Sequence, residues 1–207
     1  MRYDSYRYIE PPRAEAKVME VTLDFYEKRK WLAQVKKNGT NSVIYVPPKF
    51  EGRPFAKTRH PEDPDHKVWE FSQASIKAFT DIQGKSWHVF NVELLHSKGN
   101  GIRDTNYVHD VLVYAGTYLV GSTVQQRQDI LQHLFDTQSL KGPNSHLEVN
   151  KNTWIVKNHK RSFRNLFARL ENEDEGLVLK NPEGKLLIKD NASWAVKCRH
   201  PNKNLGF

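Results

Sequence analysis

The chain has 207 residues, enough for one domain and too few for two of ordinary size. Its 38% apolar and 11% aromatic content argues against disorder, and a single cysteine, Cys198, excludes an intramolecular disulfide and a four-cysteine zinc site. Thirty-two Lys and Arg against 24 Asp and Glu leave a formal charge of +8, which favours a polyanionic partner such as nucleic acid, although a basic protein without such a partner has the same composition.

The opening MRYDSYRYIEPPR lacks the apolar core of a signal peptide, and no stretch approaches the ~18 apolar residues of a membrane span. The expectation is a soluble protein of the cytoplasm, monomeric and without a membrane partner. In chain order, residues 14–30 read as a weak helix and Trp31 to Lys36 as a strand. Asn38-Gly39-Thr40-Asn41 reads as a turn, and Ser42 to Val46 as the strand that follows it. Asp63-Pro64-Asp65 marks a loop before a helix through Phe71, Ile76 and Phe79. The strand signal is clearest at 86–95 (SWHVFNVELL), with further strands from Tyr107 to Tyr114 and, after Gly116, over Thr117–Val120. From Thr123 or Ser122 as N-cap, Val124, Ile130, Leu131, Leu134 and Phe135 mark a helix. A second near 161–171 places Phe163, Leu166, Phe167 and Leu170 on one face. Short strands at 153–157, 176–180, 185–188 and 193–199 complete an α+β domain built on antiparallel sheet.

Four segments carry groups that are costly or unusual unless they serve a site. Lys36-Lys37-Asn38-Gly39-Thr40-Asn41 sets a lysine at a strand end before a glycine turn, which alone is ordinary hairpin chemistry. Phe90-Asn91-Val92-Glu93-Leu94 embeds a carboxylate in an apolar strand, where burial without a partner costs several kcal/mol. Glu175-Gly176-Leu177-Val178-Leu179-Lys180 again heads a strand with a carboxylate. In Ser193-Trp194-Ala195-Val196-Lys197-Cys198-Arg199 the two cations share a strand face, because side chains alternate with period two, and so can address one anion. Each has a bland reading alone; their order gives them weight.

In that order the segments resemble the covalent nucleotidyltransferase superfamily of ATP-dependent DNA ligases, RNA ligases and mRNA capping enzymes, over roughly residues 30–200. Lys36 to Asn41 is similar to the family's K-x-D-G-x-R, with Asn38 in place of the Asp and Asn41 in place of the Arg. The Gly-Thr-Asn ending looks more like RNA ligases that seal nicks in duplex RNA than like DNA ligases. Ala56-Lys57-Thr58-Arg59 is similar to the next motif, whose arginine contacts the nucleotide. Glu93 matches the acid that accepts from ribose hydroxyls. In Tyr107-Val108-His109-Asp110-Val111-Leu112-Val113-Tyr114, His109 stands where an aromatic stacks on adenine. Glu175 with Lys180 matches the fourth motif, and Lys197 with Arg199 the fifth, commonly K-x-K.

The resemblance implies an ATP-grasp-like ligase adenylation domain using ATP and Mg²⁺ (or Mn²⁺), with Lys36, Lys197 and Arg199 catalytic. Asn38, Gly39, Asn41, Arg59, Glu93, His109, Glu175 and Lys180 would bind the nucleotide, and Glu175 the metal. AMP would pass from ATP to Lys36 and then to a 5′-phosphate end, which a 3′-hydroxyl attacks. The chemistry suits these residue types. An amine attacks only when neutral, and a lysine at the reference pKa of ~10.4 costs roughly 4–5 kcal/mol to deprotonate at pH 7. Neighbouring cations reduce that cost and neutralise the transferring phosphoryl group. The expected partner is nucleic acid with 5′-phosphate and 3′-hydroxyl ends, RNA favoured, with an accessory protein left open. A compact DNA ligase and a non-catalytic nucleic-acid-binding relative are the alternatives. Eight residues follow Arg199, short of the ~70 or more that the oligonucleotide-binding barrel of larger members needs, so a single domain is expected over 1–207. Lys157, His159, Lys160, Arg161 and Arg164, with Trp154 and Phe163 for stacking, read either as phosphate contacts or as a solvated helix face.

Overall fold

The computed structural model describes residues 6–58, 72–95, 102, 104–171, 174–189 and 191–200. Two sheets carry the chain. The smaller contains β1 (Arg13–Lys17), β2 (Leu32–Lys37), β10 (Asp174–Lys180) and β11 (Asn191–Arg199) in the order β1-β11-β10-β2. The larger contains β3 (Thr40–Val46), β4 (Phe55–Thr58), β5 (His88–Leu95), β6 (Thr105–Tyr114), β8 (His146–Asn150) and β9 (Thr153–Val156) in the order β4-β3-β5-β6-β9-β8, with β7 (Thr117–Tyr118) paired to β6. Most neighbours are antiparallel, as expected of the α+β class, but β1 runs parallel to β11 and β6 parallel to β9.

The helices cover one face of each sheet. Short α1 (Leu23–Lys28) and α4 (Phe163–Ala168) bury Leu23, Phe163 and Phe167 against Val35, Leu177, Leu179 and Val196 of the smaller sheet. On the larger sheet, α2 (Gln73–Asp81) and α3 (Val124–Leu134) bring Phe79 and Leu131 onto Phe90, Val111 and Leu112. The start of α3 is fixed by a capping box: Thr123 Oγ1 accepts from Gln126 N (3.2 Å), and Gln126 Oε1 accepts from Thr123 N (2.8 Å).

Three expectations are corrected. The helix over 14–30 is real only at Leu23–Lys28, after a single 3₁₀ turn at Glu20–Thr22; Arg13–Lys17 is a strand because the edge of β11 offers it backbone partners, and pairing overrides the helix preference of RAEAK. The turn at 38–41 does not close a hairpin. β2 pairs with β10, whereas β3 pairs with β4 and β5, so Asn38-Gly39 is where the chain leaves one sheet for the other. At 185–188 there is only an isolated bridge, Lys185 to Thr123, and β8 was not anticipated. The loop at 63–65, Phe71 and Arg59 lie outside the described residues.

Candidate active site

The crossover at Asn38-Gly39 opens a cavity of about 380 Å³ between the sheets. From the smaller sheet come Lys36, Glu175, Lys180, Lys197 and Arg199, and from the larger Asn41, Glu93 and His109, with Gly39 at the junction. These are the sequence-singled residues except Asn38, which does not line the cavity, and Arg59, which is outside the described residues. Gly39 can be nothing larger: a Cβ there would stand 2.4 Å from Leu94 O and 2.9 Å from Glu93 Cγ. That close approach lets the Gly39 amide donate to Glu93.

A bulge sets the lysine–carboxylate pair. Asp174 lies opposite Lys37 while Gly176 lies opposite Lys36, so Glu175 is the extra residue and meets the same lysine. Lys36 Nζ donates to Glu175 Oε2, and Arg199 Nη2 lies 3.4 Å from the same oxygen. One residue back, Lys37 Nζ and Asp174 Oδ1 form a buried ion pair at 2.7 Å. Gly176 has φ +150°, and a Cβ there would lie 2.0 Å from Cys198 O, so this bulge needs glycine. On β11 Lys197 and Arg199 line the cavity two residues apart, as period two requires, while Trp194 and Ala195, neighbours in the chain, both line it where the register to β1 slips.

Burial pushes the Glu93 carboxyl up to about 7; Lys36 opposes this, Glu175 adds to it, and bonds from Gly39 and Asn41 oppose it. Asn41 Nδ2 donates to Asn91 Oδ1 (2.9 Å) and lies 3.5 Å from His109 Nε2. On β6 a register shift at His109 turns both His109 and Asp110 to the cavity, where strict alternation would allow one. Burial disfavours the Asp110 carboxylate, but Arg127, Lys180 and the Arg127 hydrogen bonds outweigh it and hold its pKa below the ordinary value. Arg127 Nε and Nη2 reach the two Asp110 oxygens at 2.8 and 3.1 Å, wholly buried under the cavity floor. Burial lowers Lys180 to about 8, against the attraction of Asp110 and with a contribution from Arg127. Lys197 is also lowered, by burial and then by Arg199, Arg13, Lys17 and Lys36.

Set beside solved structures, the chain matches a mycobacterial DNA ligase D complexed with ATP and MES (TM-score 0.67, 16% identity, 97% of this chain and 62% of that one). The fold is that of a ligase nucleotidyltransferase domain. It also matches a Chlorella virus DNA ligase–adenylate (TM-score 0.53, 12% identity, 92% of this chain and 67% of that one). A Lig E DNA ligase, studied for DNA binding with a minimal scaffold, aligns similarly (TM-score 0.53, 11% identity, 92% and 69%). The chain spans about three-fifths of the length of the ligase D chains it matches, 62% and 61%. No family model and no curated protein matches it in sequence.

Within this ligase fold, sequence reasoning missed Arg13, Gln34 and Trp194, which also line the cavity. Gln34 is buried and donates to Asn158 Oδ1 (2.7 Å); its polarity inside the apolar run of β2 was the available signal. Trp194 lies beneath Arg127, whose guanidinium carbon is 5.4 Å from the ring. In the basic cluster of 157–164, three side chains meet partners within the chain at its surface. Lys157 Nζ donates to Gly142 O and Pro143 O (2.8 and 2.6 Å), His159 Nε2 meets Asn144 O (2.7 Å), and Arg164 pairs with Asp24 (2.9 Å). Phe163 is fully buried and Trp154 stacks on His146 at 3.9 Å, so Phe163 offers no ring to a base. Among the described residues, no group of three His, Cys, Asp or Glu could hold a metal, and no helix is long and apolar enough to cross a membrane.

Proposed function

We propose that the chain is an ATP-dependent polynucleotide ligase, acting on RNA, whose first step joins AMP to Lys36 Nζ. The observation that carries this reading is the convergence on one cavity of Lys36, Glu93, Glu175, Lys197 and Arg199, drawn from four strands of two sheets. The larger sheet's wall is polar (Asn41, Asn91, Glu93, Tyr107, His109), and the smaller sheet's wall carries the cations. A nucleotide is thereby oriented, with phosphates on the smaller sheet and sugar and base on the larger.

Nζ attacks the α-phosphorus, the Nζ–P bond forms, and the bond to the bridging oxygen breaks as pyrophosphate leaves with its electron pair. Glu175 Oε2, which accepts from Nζ, is placed to take the proton that the amine must lose. Lys197 and Arg199 offset the charge on the transferring phosphoryl group. Glu93 accepts from the ribose hydroxyls and holds phosphorus in line with Nζ. The donors fit a divalent cation of the magnesium kind, which takes one or two carboxylates and completes its shell with substrate phosphates and water. Glu175 would hold it, and the ion would supply further charge stabilisation at the phosphates.

The RNA preference rests on Gly39-Thr40-Asn41. A DNA substrate is the second reading, supported by the DNA ligases among the matched structures. In the test, labelled ATP, GTP and NAD are incubated with the protein and Mg²⁺. ATP is expected to label the wild type and leave Lys36→Ala unlabelled; absence of any adduct overturns the proposal. Nicks with a ribonucleotide or an all-DNA 3′-hydroxyl strand then separate the substrates, and equal or better sealing of all-DNA overturns the RNA assignment.

A further inference from the structure

Strand β1 precedes every segment that carries the resemblance, yet Pro12, Arg13 and Ala14 line the cavity. Pro11-Pro12 restrict the backbone leading into it. β1 lies parallel to β11 with Lys17 opposite Lys197, and the register slips between Ala14 and Ala16. It also seats Lys197, whose Nζ donates to Ala14 O (3.2 Å) and whose carbonyl accepts from Val18 N (2.9 Å). Arg13 itself is exposed at the cavity wall. Arg13, Lys17, Lys36 and Arg199 all lie near enough to disfavour positive charge on Lys197. The carboxylate among them, Glu175, is already shared by Lys36 and Arg199. Arg13, Lys36, Lys197 and Arg199 line the cavity and Lys17 stands beside it, level with Lys197; like charges gathered there cost energy unless an anion joins them.

Position decides which anion. In the order β1-β11-β10-β2, Lys36 stands on one edge strand and Arg13 on the other. The strands themselves are three spacings apart, roughly 14 Å; along them Lys36 is level with Arg199 and Arg13 with Asn191, so it is Lys197, whose Nζ reaches Ala14 O, that links the two ends. In-line attack by Lys36 places the leaving group on the side of phosphorus away from Nζ, which across this sheet is the side of β11 and β1. We propose that Arg13 and Lys17 complete, with Lys197 and Arg199, a subsite at the cavity mouth for the β- and γ-phosphates of a bound nucleoside triphosphate. This subsite rests on the adenylation reading for its ligand.

The test measures binding of ATP, AMP and inorganic pyrophosphate, each with Mg²⁺, to wild type, Arg13→Ala, Arg13→Lys, Lys17→Ala and the surface control Lys151→Ala by calorimetry. Alongside it, preformed Lys36–AMP is discharged with pyrophosphate or passed to a 5′-phosphorylated strand. A lost hydrogen bond to a charged group predicts a roughly 10- to 100-fold weakening of ATP and pyrophosphate binding in Arg13→Ala. AMP binding and transfer to the strand stay unchanged, Arg13→Lys recovers part of the loss, and all variants keep the wild-type thermal midpoint. Pyrophosphate binding equal in wild type and Arg13→Ala overturns the subsite, as does an equal loss for AMP. A defect confined to strand transfer also overturns it, since Arg13 would then serve the 5′-phosphate of the strand. If wild type forms no Lys36–AMP yet binds pyrophosphate through Arg13, the adenylation reading fails while the subsite stands.

Discussion

The pair Lys37–Asp174 sits directly behind the proposed nucleophile, with 2% and 3% of its side chains exposed. It fixes the last regular rung before the bulge that turns Glu175 toward Lys36. Lys37→Met removes the ammonium from beside the buried Asp174, whose Oδ2 still accepts from Glu171 N (2.9 Å). Removing one partner of a buried ion pair costs about 3–5 kcal/mol, because the other charge stays desolvated. For a chain of this size that lowers the thermal midpoint by roughly 6–20 °C. Asp174→Asn alone takes the carboxylate from beside the buried ammonium and costs a similar amount. In Lys37→Met with Asp174→Asn no charge is left to compensate, and the Asn oxygen still accepts from Glu171, so more than half of the loss is recovered. Urea unfolding of the four proteins, at constant m, gives the coupling energy directly. Single variants each costing less than about 1 kcal/mol, and adding in the double, would refute the claim that this pair holds the bulge.

Other outcomes follow from the same geometry. Because folding raises Glu93 from 4.5 to about 7, its stabilising contribution is full below about pH 4.5 and lost as pH rises through 7; Glu93→Gln flattens this part of the stability–pH curve, measured by urea unfolding between pH 5 and 8. A wild-type curve that matches Glu93→Gln would show the carboxyl is not desolvated. Gly176→Ala, whose new Cβ meets Cys198 O at 2.0 Å, costs several kcal/mol or yields no folded protein, while Gly84→Ala, with nothing within 4 Å, stays within about 0.5 kcal/mol of wild type. Equal thermal midpoints for these two variants would contradict the bulge geometry.

What was legible in the sequence was the chemistry along each strand. Lys197 and Arg199 do share a face, as period two requires, and Thr123 does cap its helix. What was not legible was pairing between strands distant in the chain. An Asn-Gly after a strand is the local signature of a hairpin, and nothing near residue 38 records that β10, more than 130 residues away, competes for β2 and wins. The bulges were equally hidden. Gly176 signals one only once its partner Cys198 is known, and the shift that exposes both His109 and Asp110 depends on β5. Arg13 was missed for the same reason: a charged RAEAK stretch becomes an edge strand only when β11 presents its open edge.

The failed hairpin is also what makes the cavity. Had Lys36 and Asn41 faced each other across an Asn-Gly turn, both would lie on one sheet and their side chains would emerge side by side. Because the chain crosses instead, residues five apart in sequence come to opposite walls, and each wall then recruits groups of its own kind. The smaller sheet adds Glu175, Lys197 and Arg199 beside Lys36, and the larger adds Asn91, Glu93 and His109 beside Asn41. Gly39 stands at the point of divergence, held against the backbone of Leu94 and donating to Glu93. A side chain there would do more than clash. By forcing β3 and β5 away from the crossover it would widen the gap between the walls, so nucleotide affinity in Gly39→Ala should fall more steeply than stability.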